Sequence, residues 1–283
     1  MSVAAERLPA RRRGSVASRL WAGVRHHLLT AFALLALVYL LLPIAIVIAF
    51  SFNDPVGRFN FVWNTFTFDN WTNPFGFPDL QGAVMLSLEI AALSSIVATV
   101  LGTLIALALV RYDFRGRGAT NFLIFLPMAA PEIVMGSSLL TLFLNYSVPL
   151  GFTTILVAHI MFNISFVVVT VRARLAGFDR HLEEAAMDLF ANPWSTFYRV
   201  TLPLIAPGVL AAALLAFALS VDDFVITYLV SGSEQTFPLF VCGAARVAVP
   251  PQINVIGTAI FLVAVLLMLA NILFQWRRQP KGA

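Results

Sequence analysis

The sequence predicts an all-α integral membrane protein with six transmembrane helices, and three observations carry that prediction. Of its 283 residues, 60% are hydrophobic and only 11% are charged. The mean hydropathy of +0.88 lies outside the range of water-soluble domains. The apolar residues gather into runs long enough to cross a hydrocarbon core of about 30 Å, which takes roughly 20 residues per helix. Basic residues fall almost entirely in alternate connections between those runs.

The runs lie at about 28–51, 82–110, 119–145, 152–171, 204–221 and 253–276. An arm, residues 1–27, precedes the first run and contains Arg7, Arg11, Arg12, Arg13, Arg19 and Arg25. Pro43 lies inside that run, where neighbouring helices can shelter the freed carbonyl, and a kink is expected there. Residues 52–81, "FNDPVGRFNFVWNTFTFDNWTNPFGFPDLQ", combine Asn, Asp, Gly and Pro with Phe61, Trp63, Phe66, Phe68 and Trp71. This is the composition of an ordered extracytoplasmic loop whose aromatics meet the membrane interface or a partner.

The second run holds Gly102 among Ala and Ser residues, small side chains that let membrane helices approach closely. In the third, "FLIFLPMAAPEIVMGSSLL" is interrupted by Pro127, Pro131 and Gly136, so a broken helix is expected. A break at membrane depth survives only inside protein or beside water, which places this segment along a pathway. Residues 222–252, with "SGSEQTFPLF" and "VAVPPQIN", read as an extracytoplasmic and partly re-entrant loop. No internal repeat or low-complexity tract divides the chain, so one domain over 28–276 is expected, followed by a tail at 277–283.

Short cytoplasmic loops retain Lys and Arg, whereas translocated ones lack them. The arm, the second loop (Arg111, Arg115, Arg117), the fourth loop (Arg172, Arg174, Arg180, Arg199) and the tail (Arg277, Arg278, Lys281) hold all 18 such residues except Arg58 and Arg246. Both termini are therefore expected in the cytoplasm.

The composition also excludes several classes. The basic arm is read as an anchor on membrane lipids, because the run that follows is too long for a signal peptide and no small-residue cleavage site follows "IAFSF". Nothing in it calls for nucleic acid. One cysteine, Cys242, rules out an intramolecular disulfide and a multi-cysteine metal site, so no metal is expected. A P-loop needs a lysine on a glycine-rich turn before a helix, and the only lysine is Lys281. His26, His27, His159 and His181 lack ligand spacing, and no nucleophile elbow or Ser–His spacing points to hydrolysis, so no catalytic residue is expected.

The segment "DRHLEEAAMDLFANPWSTFYRVTLPL" interrupts this apolar chain between the fourth and fifth runs. Leu182, Ala185, Ala186, Leu189 and Phe190 share one helical stripe, with Arg180, Glu183, Glu184 and Asp188 opposite. Asp179 is placed as the N-cap. Asn192-Pro193 ends this helix and caps a second, in which Trp194, Phe197, Tyr198 and Thr201 align before Pro203 stops it. A hairpin over about 179–203 results. It is an interfacial helix on the headgroups or a knob for a groove on a cytoplasmic partner.

"EAAMDLFANPWSTFYRVTLP" resembles the EAA loop in permease subunits of binding-protein-dependent ABC importers. That family has a Glu-Ala-Ala triplet, a glycine three residues on and a later Leu-Pro pair; Glu184, Ala185, Ala186, Leu202 and Pro203 match. Phe190 stands where the family has glycine, at a cost of about 1–2 kcal/mol if the position needs a positive φ. "TVLGTLIALALVRYDFRGRG", "LPMAAPEIVMGSSLL" and "AFALSVDDFVITYLVSG" resemble polyamine (spermidine/putrescine) permeases of the second-subunit type, and the similarity covers residues 82–276. The resemblance implies a type I importer permease fold in a prokaryotic inner membrane. It also implies a second permease subunit in a hetero- or homodimer, two cytoplasmic ATPase subunits that bind the ATP and Mg, and an extracytoplasmic solute-binding protein. The hairpin is then the coupling element.

An ionisable side chain within a span is costly and invites a functional explanation. Glu89, Glu132, Asp222 and Asp223 are such residues, and no lysine or arginine inside the spans balances them. They suit a cationic substrate, with Trp71, Tyr146, Phe224 or Tyr228 available for cation–π contact. The structural alternatives are that Asp222 and Asp223 cap a helix or meet the binding protein, and that Glu89 bonds to Ser94 and Ser95. The expected function is translocation of a polyamine or similar cation by alternating access. The rivals are a permease for an amino acid, phosphonate or oxyanion, and an ion-gradient-driven secondary transporter with inverted halves.

Overall fold

A computed structural model describes residues 16–278. The arm residues Arg7, Arg11, Arg12 and Arg13, and Lys281 of the tail, lie outside the described residues. The chain forms two compact units, one from its two ends and one from residues 75–250.

The terminal unit contains α1 (Val16–Phe50), strands β1 (Asn53–Asp54) and β2 (Thr65–Phe66), α2 (Asp69–Thr72) and α12 (Pro251–Arg278). Helix α1 begins ahead of the expected position 28 and continues through Pro43. It buries none of its most apolar stretch. The loop after it is ordered, as its turn chemistry predicts. β1 and β2 pair antiparallel, Asn53 opposite Phe66. Buried Asn53 donates to Asn60 Oδ1 at 2.6 Å, and buried Asn70 donates to the carbonyl of Asn53 at 2.9 Å. These amides take over backbone groups that so short a ladder leaves unpaired. Phe52 stacks on Phe66 and Trp71, and Trp71 donates to Ser51 Oγ.

In the second unit, α3 (Leu80–Arg111), α6 (Phe152–Ala176) and α9 (Leu202–Asp222) pack around one another. α4 (Arg117–Ala129) and α5 (Glu132–Asn145) are the broken third span, bent by 109° where Pro131 begins the second piece. Five helices are long and apolar enough to cross a membrane, and this bent pair makes the sixth candidate among the described residues. Ala98, Ala106, Val167, Val171, Ile205 and Ala212 centre one part of the core; Ile90, Phe143, Ile155, Phe162 and Ile226 centre another. Gly102 permits a close approach of α3 and α6: a Cβ there would meet Val167 Cγ1 at 2.6 Å.

Two short helices, α10 (Val225–Val230) and α11 (Phe237–Val247), occupy the segment after α9. The hairpin contains α7 (His181–Asp188) and α8 (Pro193–Thr196), followed by a π-helical turn at Phe197–Thr201 that leads into α9. Pro203 therefore does not stop the second helix. It occupies the first turn of α9, where a missing N–H is tolerated, and the wide turn before it lets the helical path run from Pro193 to Asp222.

Candidate functional site

The hairpin starts with a local electrostatic clasp. Asp179 Oδ1 accepts from the His181 backbone N–H at 3.0 Å and faces the His181 ring nitrogen Nδ1 at 2.7 Å. Asp179 thus caps from one position further out than expected, since Arg180 holds the N-cap position of α7. The backbone hydrogen bond from His181 chiefly holds the Asp179 carboxyl below its usual range. The side-chain bond to Asp179 chiefly pushes the His181 imidazole above its usual range.

At the other end of α7, Phe190 has a φ of 65°. Its N–H donates to Met187 O at 2.9 Å, and the N–H of Ala191 donates to Ala186 O at 3.1 Å. These paired bonds form a Schellman motif with Phe190 at the C′ position, which ordinarily favours glycine. The left-handed conformation costs an L-residue about 1–2 kcal/mol. Phe190 gains nothing from its own chain in return, because it is 99% exposed. Asn192 then caps α8, its Oδ1 accepting from the Ser195 N–H at 2.8 Å with Pro193 in the first turn, as the sequence predicts.

The apolar stripe has little cover within the chain. Leu189 is 81% exposed, Ala185 and Leu182 are exposed, and Ala186 is half-buried. Trp194 stacks on Tyr198 beside it, and both are exposed. Glu184 and Asp188 are exposed too. Glu183 departs from the expected free acidic side: it folds back to form an ion pair with Arg111 at the end of α3 and accepts from Thr201 in the π turn. Arg180 adds a second tie by donating to the Val110 carbonyl at 2.8 Å. The Glu183–Arg111 link leaves no local signal in the sequence, because 72 positions separate the partners. Leu202 and Pro203 lie where the hairpin becomes α9.

The four membrane acids have different settings. Glu132 opens α5 and is exposed; Asp222 ends α9 and is exposed. Gly136, one turn along α5, lets that helix pack on Ile226 and Leu229 of α10. Neither Glu132 nor Asp222 has a basic partner among the described residues. Glu89 is exposed on α3. It does not engage Ser94 or Ser95, which donate to the carbonyls of Ala91 and Ala92 one turn back.

Asp223 is enclosed in a polar network around His159. Its Oδ2 accepts from the Thr227 N–H at 2.8 Å and from Thr227 Oγ1 at 2.6 Å, and lies 3.3 Å from His159 Nε2. His159 is a core histidine, with Ser220 Oγ 2.6 Å from Nδ1 and Thr227 Oγ1 2.9 Å from Nε2. Ser94 donates to Ser220 at 3.1 Å, so the network joins α3, α6, α9 and α10. Buried polar groups need such mutual satisfaction. Next to it, stacked Phe224 and Tyr228 border an open cleft of about 320 Å³ that also contacts Glu234 and Arg246. Tyr146 is exposed near the end of α5. Trp71 is packed in the terminal unit.

Residues 98–278 match the family model described as "Binding-protein-dependent transport system inner membrane component". The chain is 39% identical over 245 residues to the spermidine/putrescine transport system permease protein PotC of Escherichia coli (strain K12), covering 86% of this chain and 92% of that protein. It is 38% identical over 236 residues to the putrescine transport system permease protein PotI of the same strain, covering 80% and 83%. Among solved structures it is similar in fold to a chain of a bacterial ABC transporter involved in the import of the acidic polysaccharide alginate. That likeness has a TM-score of 0.65 at 17% identity and covers 92% of this chain and 99% of the other. The likeness extends to a chain of the MetNI methionine ABC transporter, with a TM-score of 0.55 at 16% identity over 69% and 94%.

The match sets aside the secondary-transporter reading, and it makes this chain a transport subunit whose ATPase is a separate partner. Permeases of this kind are multi-pass inner-membrane proteins that work with an ATPase and a periplasmic binding protein. The Glu-Ala-Ala hairpin, the broken third span and the six candidate spans thus have one explanation: the chain belongs to the family of inner membrane components of binding-protein-dependent transport systems, as an ABC importer permease subunit.

Proposed function

We propose that this permease translocates a polyamine or a similar small cationic solute. It works as one half of a pore completed by a second permease subunit, in a hetero- or homodimer. Two ATPase subunits dock from the cytoplasm, where both termini also lie, and an extracytoplasmic binding protein delivers the solute. ATP and Mg are held by the ATPase partner. The hairpin, with Glu184, Ala185, Ala186 and Phe190 at its exposed end, is the coupling site; Leu202 and Pro203 join it to α9. Closure of the ATPase pair pushes the hairpin. The Arg111–Glu183 tie passes that displacement to α3, and the pathway exchanges access between the two faces.

The observation that carries the cationic reading is that Glu132 and Asp222 are both exposed and both lack a basic partner among the described residues. A carboxylate within a span is costly unless a cation visits it. Glu89 adds an exposed carboxylate on α3, and Asp223 accepts from the Thr227 N–H of α10. The relatives named for spermidine and putrescine transport support the same reading.

The test is uptake of radiolabelled spermidine or putrescine into vesicles that contain the full complex. Glu132→Gln slows uptake by about tenfold, the loss of one charge-assisted hydrogen bond, and basal ATP hydrolysis is unchanged. Asp222→Asn and Glu89→Gln have smaller effects. Uptake of sulfate or a phosphonate instead, or unaltered cation uptake in all these variants, refutes the cationic substrate and leaves the family assignment in place.

A further inference from the structure

Phe190 combines three properties that its own chain does not reconcile. It occupies the left-handed C′ position of a Schellman motif, with a φ of 65°, where a bulky side chain is strained and glycine is not. Its ring is 99% exposed. It also sits at the tip of the hairpin, next to Leu189, which is 81% exposed. A strained aromatic surrounded by solvent lowers neither the energy of this fold nor its exposed apolar area. A compensating contact must come from outside the chain.

We propose that Phe190 is an anchor that the hairpin inserts into an apolar pocket on the ATPase subunit. This deepens the proposed role of the hairpin and rests on it. Phe190 follows directly on Leu189, the C-cap of α7, in the left-handed turn, and its ring is exposed. Exposed Leu182 and Leu189 extend the apolar contact behind it. Exposed Glu184 and Asp188 on α7 give the knob an acidic rim. The complementary surface is therefore a pocket with an apolar floor and basic residues at its mouth, and charge complementarity selects a protein surface of that kind. Anionic lipid headgroups would meet Glu184 and Asp188 as like charges. The pocket must also be deep enough for an aromatic ring, a requirement that a hairpin with glycine at this position does not impose.

The experiment uses the ATP-hydrolysing subunit that co-purifies with the affinity-tagged wild-type permease from its native membranes. Its affinity for the detergent-solubilised permease is measured for wild type, Phe190→Gly, Phe190→Ala and Phe190→Trp. Glycine removes both ring and strain, alanine removes the ring and keeps the strain, and tryptophan keeps an aromatic.

Phe190→Gly raises the melting temperature of the isolated permease yet weakens ATPase binding by about tenfold or more. Phe190→Ala weakens binding to the same extent, and Phe190→Trp retains most of it. Wild-type affinity in both Phe190→Gly and Phe190→Ala overturns the anchor while leaving the coupling role of the hairpin intact. A loss seen only in bilayers, with detergent affinity unchanged, overturns it in favour of a lipid contact. Failure of any ATP-hydrolysing subunit to co-purify with the wild type overturns the hairpin's coupling role and the anchor together.

Discussion

Arg111, the last residue of α3, and Glu183, in the first turn of α7, form an ion pair that Thr201 completes from the π turn, its hydroxyl 3.3 Å from the Arg111 guanidinium. The side chains of Arg111 and Glu183 are only 27% and 15% exposed, so the pair is less screened than a surface bridge. It fastens the hairpin to the central helix of its bundle. Removing one charge leaves the other partly buried and unmatched. Glu183→Gln accordingly leaves ATPase association intact and lowers the solute transported per ATP hydrolysed by about fivefold or more. The double exchange Arg111→Glu with Glu183→Arg restores most of the coupling. Transport stoichiometry equal to wild type in Glu183→Gln would refute the latch.

The clasp between Asp179 and His181 makes the entry to α7 sensitive to pH. Asp179 titrates below the ordinary aspartate value of 3.8, so its contribution is present above that value and is lost as pH falls through the lowered one. His181 titrates above 6.5, so its contribution is complete below 6.5 and is lost as pH rises through the raised value. The clasp is therefore strongest between those two ordinary values. Selective carbon-13 labelling of histidine, followed by NMR titration, should show the His181 resonance moving at a pH above 6.5. Asp179→Asn should return it toward 6.5. A His181 titration identical in the two proteins would show that the contact is not formed in solution.

Gly102 and Gly82 both lie on α3 but face different surroundings. A Cβ at Gly102 meets Val167 at 2.6 Å, whereas one at Gly82 meets nothing within 4 Å. Gly102→Ala should destabilise the permease by about 1–3 kcal/mol through overpacking. Gly82→Ala should be neutral or stabilising, because alanine is the better helix former. Thermal unfolding of the purified subunit in one detergent distinguishes them, and a Gly102→Ala protein as stable as wild type would refute the close α3–α6 contact.

The distribution of basic residues sets the orientation that the coupling role requires. In a background of Cys242→Ser, a cysteine at Gln235 should react with an impermeant maleimide added outside intact cells. Cysteines at Arg115 and His181 should react only after the membrane is opened. Reaction at His181 and protection at Gln235 in intact cells would invert the topology and place the hairpin on the wrong side for an ATPase.

The sequence by itself determined the helical membrane class, the number of candidate spans and the broken third one. Those depend on local quantities: apolar run length, and Pro131, which cannot complete the helical ladder, whereas α4 runs on through Pro127 and α5 through Gly136. It also determined the hairpin and its cap at Asn192, because capping is a matter of a few neighbouring residues. The glycine-like backbone of Phe190 was legible only through the family resemblance, since no composition rule places an aromatic at a left-handed turn. Tertiary structure decided the rest. Glu183 and Glu184 are adjacent in sequence, yet one turns inward to Arg111 and the other is exposed. Asp222 and Asp223 divide in the same way, Asp223 being taken into the network around His159. A single-residue step along the chain changes the direction of a side chain, and what lies in that direction comes from elements dozens of positions away.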